Sequence, residues 1–268
     1  MLEINKIYNK DCLEGLKDVD DESIQLCFTS PPYSDMKTYE NFKGIDPDKY
    51  NDWIIPIIKE LYRVIKMDGS FILNINDKVR DRFRHPFIFE LVSRICKETG
   101  FKLFERLFWN KGKYLPHPKR FGDKVEYLFW FAKSESVYVN LENMRVPYDK
   151  KSIKRMEKPI KKRFNRNEEN QNATEYKSWK ANPNGALPST LITIGSESQR
   201  ISDKHMAVFP LKLVDYFIKG GSKKGDIIID PFMGTGTVAV SARNLNRNYI
   251  GWDINESYCK ISEERLKL

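Results

Sequence analysis

A chain of 268 residues has room for one sizeable core and a modest appendage, not for two full catalytic domains. Its 40% hydrophobic and 13% aromatic content is globular, and no apolar run reaches bilayer-spanning length, so a soluble protein is expected. The net charge of +9 is unevenly held: residues 145–180 carry 12 Lys/Arg against 5 Asp/Glu, an excess of +7, which suits either a polyanion such as nucleic acid or a solvated loop.

Met1-Leu2-Glu3 opens without an apolar leader, so a cytoplasmic location is expected. Ile4 to Tyr8 reads as a strand followed by Asp11 and Cys12. Ser23 to Phe28 reads as a buried strand that runs directly into Thr29-Ser30-Pro31-Pro32-Tyr33. Helical spacing from Trp53 to Ile65, the turn Asp68-Gly69 and the strand Phe71-Ile72-Leu73 complete a strand, helix, strand unit. Phe87 to Ile95 predicts a helix stopped by Gly100, and Phe101 to Trp109 and Val125 to Phe131 predict strands. From about 140 to 203 the periodicity fades into polar, basic, Asn-rich sequence. Order returns with a helix over Phe209 to Ile218, a strand over Asp226 to Asp230, a helix over Gly236 to Leu245, a strand over Tyr249 to Asp253 and a closing helix from Asn255. Alternating strands and helices predict an α/β, doubly wound, mostly parallel Rossmann-like sheet. The expected division is a catalytic domain over 1–139 and 204–268 and a basic recognition insert over 140–203.

Two segments carry chemistry. Asp230-Pro231-Phe232-Met233-Gly234-Thr235-Gly236 sets a Gly-x-Gly turn between a strand and a helix, where backbone can approach a ligand closely. Asp253 ends the next strand, the place where doubly wound nucleotide-binding folds set a carboxylate against ribose hydroxyls. A nicotinamide oxidoreductase uses similar parts, but the third glycine of G-x-G-x-x-G is missing, and no phosphate-loop pattern occurs. In Ser30-Pro31-Pro32-Tyr33 the prolines hold the chain stiff and extended after the strand. The Ser30 hydroxyl and the Pro31 carbonyl can accept the two hydrogens of an exocyclic base amine and turn its lone pair outward, and Tyr33 offers a stacking face worth ~1–3 kcal/mol per base. The bland alternative is a rigid surface turn.

Together these residues resemble the amino-methyltransferase family of bacterial DNA methyltransferases, with Ser30-Pro31-Pro32-Tyr33 matching its [DNS]-P-P-[YFW] motif and Phe232-Met233-Gly234-Thr235-Gly236 its F-x-G-x-G motif. The order, catalytic motif before cofactor motif, is similar to the family's beta arrangement and implies a circularly permuted sheet. The resemblance implies S-adenosyl-L-methionine as cofactor, held around Thr29, Asp230 to Gly236 and Asp253, with Asp11 and Cys12 near the adenine. Lys204 to Pro210 resembles the motif beside the methionine end, where His205 is a candidate as much as a helix cap. It implies double-stranded DNA as partner, a base swung out of the stack, and a restriction–modification setting with a companion restriction endonuclease. A serine heading the motif points to cytosine N4, with adenine N6 the alternative. A non-catalytic DNA-binding module and a protein or RNA amino-methyltransferase remain competing readings.

Cytosine C5 chemistry needs a cysteine nucleophile, usually after a proline, and none of Cys12, Cys27, Cys96 or Cys259 follows one. The cysteines and His85, His117 and His205 show no ligand spacing, so no metal is expected. Candidate phosphate contacts are Lys111, Lys113 and Arg120 outside the insert and Lys150, Lys151, Lys154, Arg155, Lys161, Lys162 and Arg163 within it.

Overall fold

The computed structural model describes residues 2–33, 44–112, 118–156, 160–161, 176–177, 181–195 and 209–267, with only the backbone of 160–161 and 176–177. In chain order the elements are β1 (Lys6–Asn9), α1 (Cys12–Leu16), β2 (Ile24–Thr29), α2 (Pro47–Val64), β3 (Ile65–Ile75), β4 (Val79–Arg80), β5 (Phe83–Arg84), α3 (Phe87–Glu98), β6 (Lys102–Asn110) and β7 (Val125–Ala132). There follow α4 (Lys150–Met156), β8 (Ile160–Lys161), β9 (Tyr176–Lys177), β10 (Leu191–Thr193), α5 (Leu211–Gly221), β11 (Ile227–Asp230), α6 (Thr237–Asn244), β12 (Asn248–Asp253) and α7 (Glu256–Lys267). The chain divides into two compact units, Met1–Asn140 with Ser189–Leu268, and Leu141–Pro188.

The larger unit holds an eight-stranded sheet in the order β1-β12-β11-β2-β3-β7-β6-β10. All neighbours pair parallel except β7, which runs against both β3 and β6. β1 lies beside β12, with Lys6 opposite Ile250 and Asn9 opposite Asp253. The first strand of the chain therefore continues the sheet that the last strand leaves open, as the permuted reading requires. β10 adds an eighth strand from within the 140–203 stretch. It is only three residues long, too short for periodicity to register, and the Trp109 indole fixes the chain beyond it by donating to the Ile194 carbonyl at 2.8 Å.

β2 is buried at all six positions because helices cover both faces, the reason a parallel strand reads as a continuous apolar run. Ile54, Ile58 and Leu61 of α2, at helical spacing, pack into the core that contains Ile24, Cys27 and Phe71. On the opposite face Phe28 meets Phe217 of α5, ring centroids 5.5 Å apart. Each such fully buried side chain contributes about 1.5–3 kcal/mol, so the central strands are the rigid base from which the loops project. α2 starts where Asp46 accepts the Asp48 N–H at 2.9 Å and Pro47 supplies a pre-set first turn.

In the smaller unit β8 and β9 pair antiparallel, and Val146 and Ala186 exchange backbone hydrogen bonds of 3.0 and 2.8 Å. Arg145 donates to the Gly185 carbonyl at 2.6 Å while paired with Glu142.

Candidate active site

Ligands of open α/β sheets bind outside the carboxyl ends of the strands. Along that edge stand Asp11 after β1, Asp253 ending β12, Asp230 ending β11, Thr29 ending β2 with Ser30 to Tyr33 after it, Asn74 to Asp77 at the end of β3 and Lys111 after β6. Because β7 is reversed, its first residues, Val125 and Glu126, come to the same edge.

The glycine turn is drawn onto Asp253. One carboxylate oxygen accepts the Gly234 N–H at 2.9 Å, and the other accepts the Asn255 N–H at 2.8 Å. Gly234 and Gly236 have φ of +53° and +80°, a region where side chains are strained, and a Cβ at Gly236 would lie 2.8 Å from the Ser262 Cβ. The Thr235 carbonyl and hydroxyl face inward to Arg265. Phe232 tilts its ring against Trp53, centroids 5.5 Å apart, and Pro231 is buried. Asp11 spends one oxygen capping α1, accepting from Leu13 N at 2.8 Å, while the Cys12 side chain enters the core.

Thr29 joins this turn to the catalytic segment: its hydroxyl donates to the Asp230 carboxyl at 2.6 Å, and the same oxygen accepts the Phe232 N–H at 2.9 Å. Burial pushes the Asp230 carboxyl up to about 7, against those two hydrogen bonds, and burial also raises that of Asp253. Pro31 is buried, and Ser30, Pro32 and Tyr33 are half-buried. The Ser30 hydroxyl donates to the Tyr33 oxygen at 3.4 Å, and the Tyr33 hydroxyl donates to Glu126 at 2.9 Å. Asn74 and Lys111 donate to the same carboxylate at 3.3 and 3.0 Å. Beyond them Arg84 lies between the buried Asp77, with which it is hydrogen-bonded, and Asp123 at 3.6 Å.

Residues 24–264 match the N6/N4 family model described as DNA methylase. The chain belongs to this family. M.BamHII of Bacillus amyloliquefaciens, an orphan methyltransferase, is 32% identical over 94% of this chain and 91% of its own length. The solved PvuII DNA methyltransferase, described as cytosine-N4-specific, is 24% identical and superposes with a TM-score of 0.73 over 97% of this chain and 85% of its own. M1.HpyAVI, solved in complex with SAM, is 20% identical with a TM-score of 0.63 over 98% of this chain and 99% of its own.

In this DNA methylase the Asp230 to Gly236 turn, Asp253 and the Ser30 to Tyr33 segment, identified separately in the sequence, meet at one edge, with Thr29 as their joint. Lys111, a candidate phosphate contact, donates to Glu126. Arg120 lines a cleft of about 460 Å³ with Arg84, Lys119 and Phe121. Lys150, Lys151, Lys154 and Arg155 are exposed on α4, a helix with no buried residue, where a solvated basic face is free to meet polyanion. Lys113, Lys162, Arg163 and His205 lie outside the described residues, as does the side chain of Lys161. Burial pushes the Cys12 thiol up to about 12 and that of Cys27 well above its ordinary value, the reverse of what a thiolate nucleophile needs. Among the described residues no helix is long and apolar enough to cross a membrane.

Sequence reading missed Asn74, Asp77 and Glu126. Glu126 left one signal, a carboxylate inside the otherwise apolar run Val125 to Ala132.

Proposed function

We propose that this DNA methylase transfers the methyl group of S-adenosyl-L-methionine to the exocyclic N4 amine of cytosine in double-stranded DNA, the base being turned out of the stack. The observation that carries this reading is the 2.6 Å Thr29–Asp230 hydrogen bond, which locks the amine-accepting segment against the glycine turn. Ser30 at the head of the motif favours cytosine over adenine, in keeping with the specificity stated for the PvuII enzyme.

The donor set fits the cofactor. Asp253 has lone pairs to spare beyond the two backbone N–H groups it accepts, suiting ribose hydroxyls, and Asp11 keeps one oxygen beyond its cap. The turn over Phe232 to Gly236 offers close backbone approach. S-adenosyl-L-methionine would supply, when bound, an electrophilic methyl group on a sulfonium, whose carbon–sulfur bond breaks with its electron pair left on sulfur as a neutral thioether while the methylated nitrogen gives one proton to solvent. What the chain itself must do is make a weak nucleophile attack. The amine lone pair is shared with the base ring, and Ser30 Oγ and the Pro31 carbonyl, by accepting both amine hydrogens, favour the pyramidal nitrogen whose lone pair is free. Turning the base out costs a few kcal/mol, and the Tyr33 face offsets part of that. Basic side chains such as those of α4 supply sequence-independent affinity by releasing counterions from phosphates. A companion restriction endonuclease belongs to the same proposal.

The test is tritium transfer from labelled cofactor to unmethylated genomic DNA, with cofactor affinity followed by calorimetry. Wild-type protein should label DNA, and Ser30→Ala should bind cofactor but label DNA about 10²–10³-fold more slowly. A Ser30→Ala protein that labels DNA at the wild-type rate refutes the assignment.

A further inference from the structure

A serine hydroxyl is both donor and acceptor, and only one polarity helps an amine that must give up its hydrogens to acceptors. If the Ser30 proton pointed at the target nitrogen it would bind the lone pair that has to attack. Some group must take that proton away from the substrate.

The hydrogen-bond chain behind Ser30 does this. Glu126 is the carboxylate of an ion pair with Lys111, Nζ to Oε1 3.0 Å, and its Oε2 also receives Asn74 Nδ2 at 3.3 Å. A carboxylate has acceptors only. The Tyr33 hydroxyl, 2.9 Å from Oε2, must therefore donate to Glu126, and its own oxygen is left with lone pairs alone. Burial, then the neighbouring Glu126, holds the Tyr33 phenol well above its ordinary value, so it keeps the proton it donates. The Ser30 hydroxyl, 3.4 Å away, then points its proton at Tyr33. With its proton so engaged, the Ser30 oxygen is left with lone pairs that can only accept.

We infer that Glu126 is a positioning residue which, acting through Tyr33, fixes the Ser30 hydroxyl as a hydrogen-bond acceptor toward the target amine. The inference rests on the proposed role of Ser30. Lys111 and Asn74 hold the Glu126 carboxylate in place, which gives Lys111 a role in the active site. Directional polarity distinguishes this from an ion pair that only ties the ends of β6 and β7 together.

Glu126→Gln is nearly isosteric, yet its amide N–H₂ can donate to the Tyr33 oxygen. The Tyr33 proton would then turn toward Ser30 and the Ser30 proton toward the base. Tyr33→Phe removes only the hydroxyl and leaves Ser30 free to rotate. The experiment is single-turnover methylation of DNA by wild type, Glu126→Gln, Tyr33→Phe, the double variant and Ser30→Ala, with thermal melts and calorimetric cofactor binding on each. Glu126→Gln should slow the methyl-transfer step by about 100-fold, as loss of one preorganised polar group does, and Tyr33→Phe by about tenfold. Adding Tyr33→Phe to Glu126→Gln should raise the rate back to that of Tyr33→Phe, within about twofold, because the two act as one unit. Cofactor affinity should stay within about twofold throughout, since no step in the chain touches that half. A wild-type rate for Glu126→Gln or Tyr33→Phe overturns the inference, as does a double variant slower than both single ones. If Glu126→Gln fails to fold, the Tyr33→Phe rate decides alone. A wild-type rate for Ser30→Ala refutes the amine-pocket reading itself; a slowed Ser30→Ala beside a wild-type Glu126→Gln refutes only the inference.

Discussion

The two halves of the active edge are made in different ways. On the side of β1, β12 and β11 the contacts are between carboxylates and nearby backbone: Asp11 with Leu13, Asp230 with Phe232 and Asp253 with Asn255 are each two residues apart, and Asp253 with Gly234 only 19. On the side of β2, β3, β7 and β6 the contacts are between side chains brought together by the sheet, with Tyr33 and Glu126 separated by 93 residues and Asn74 and Glu126 by 52. The first half is written into short segments of chain. The second exists only once the reversed strand β7 has been laid between β3 and β6. Damage to one half should therefore appear in cofactor affinity, and damage to the other in the rate of the chemical step.

The largest expected separation comes from Ser30→Ala, which should lower kcat by about 10²–10³-fold, the usual cost of one preorganised group at a reacting centre, while cofactor Kd stays near wild type. A Kd that moved with kcat would dissolve the distinction between the halves. Asp253→Ala is the converse case. It removes a charge-assisted anchor of the glycine turn worth about 1.5–3 kcal/mol, so calorimetry should show cofactor affinity weakened by about tenfold or more. An unchanged Kd would place the cofactor elsewhere.

Asp230 sits at the seam and gives a pH signature. Its carboxyl, ordinarily near 3.8, is held at about 7 in the fold by burial, so the folded state prefers it protonated. That preference is complete below pH about 4 and is lost as pH climbs through about 7. Wild type should lose stability relative to Asp230→Asn over this window, read as the difference in urea midpoints; a wild type that gains on the variant would reverse the sign expected from burial. The smallest effect is outside the edge. Replacing Lys150, Lys151, Lys154 and Arg155 with alanine should weaken DNA binding and flatten its salt dependence by about 0.9 for each phosphate no longer neutralised, leaving cofactor Kd untouched. An unaltered salt slope would make α4 a solvated face with no part in DNA binding.

How much was legible follows the same line between the halves. The run Ser23 to Phe28 ending in Ser30-Pro31-Pro32-Tyr33, and the run Ile227 to Gly236, each announce strand, turn and chemistry within about a dozen residues, because backbone conformation is set locally. The permuted start was legible too, since Ile4 to Tyr8 supplied a strand that the C-terminal half lacked, and it pairs with β12 as that reading requires. Glu126 was not legible as a partner of Tyr33, since nothing in either segment specifies which residue on a strand 93 positions away will face it. Lys111 drew attention for its charge, but charge alone does not say whether a lysine meets phosphate or carboxylate. β10 was missed because a three-residue edge strand draws its stability from its neighbour β6 and not from its own pattern.

The central claim, that the Ser30 to Tyr33 pocket methylates the amine of cytosine, is tested most directly by mass spectrometry of nucleosides from unmethylated DNA incubated with the protein and methyl-deuterated S-adenosyl-L-methionine. The expected product is N4-methylcytosine carrying the deuterated methyl, with none of the label on adenine. N6-methyladenine in its place would contradict the cytosine assignment, and DNA without any deuterated nucleoside would contradict methyl transfer by this pocket altogether.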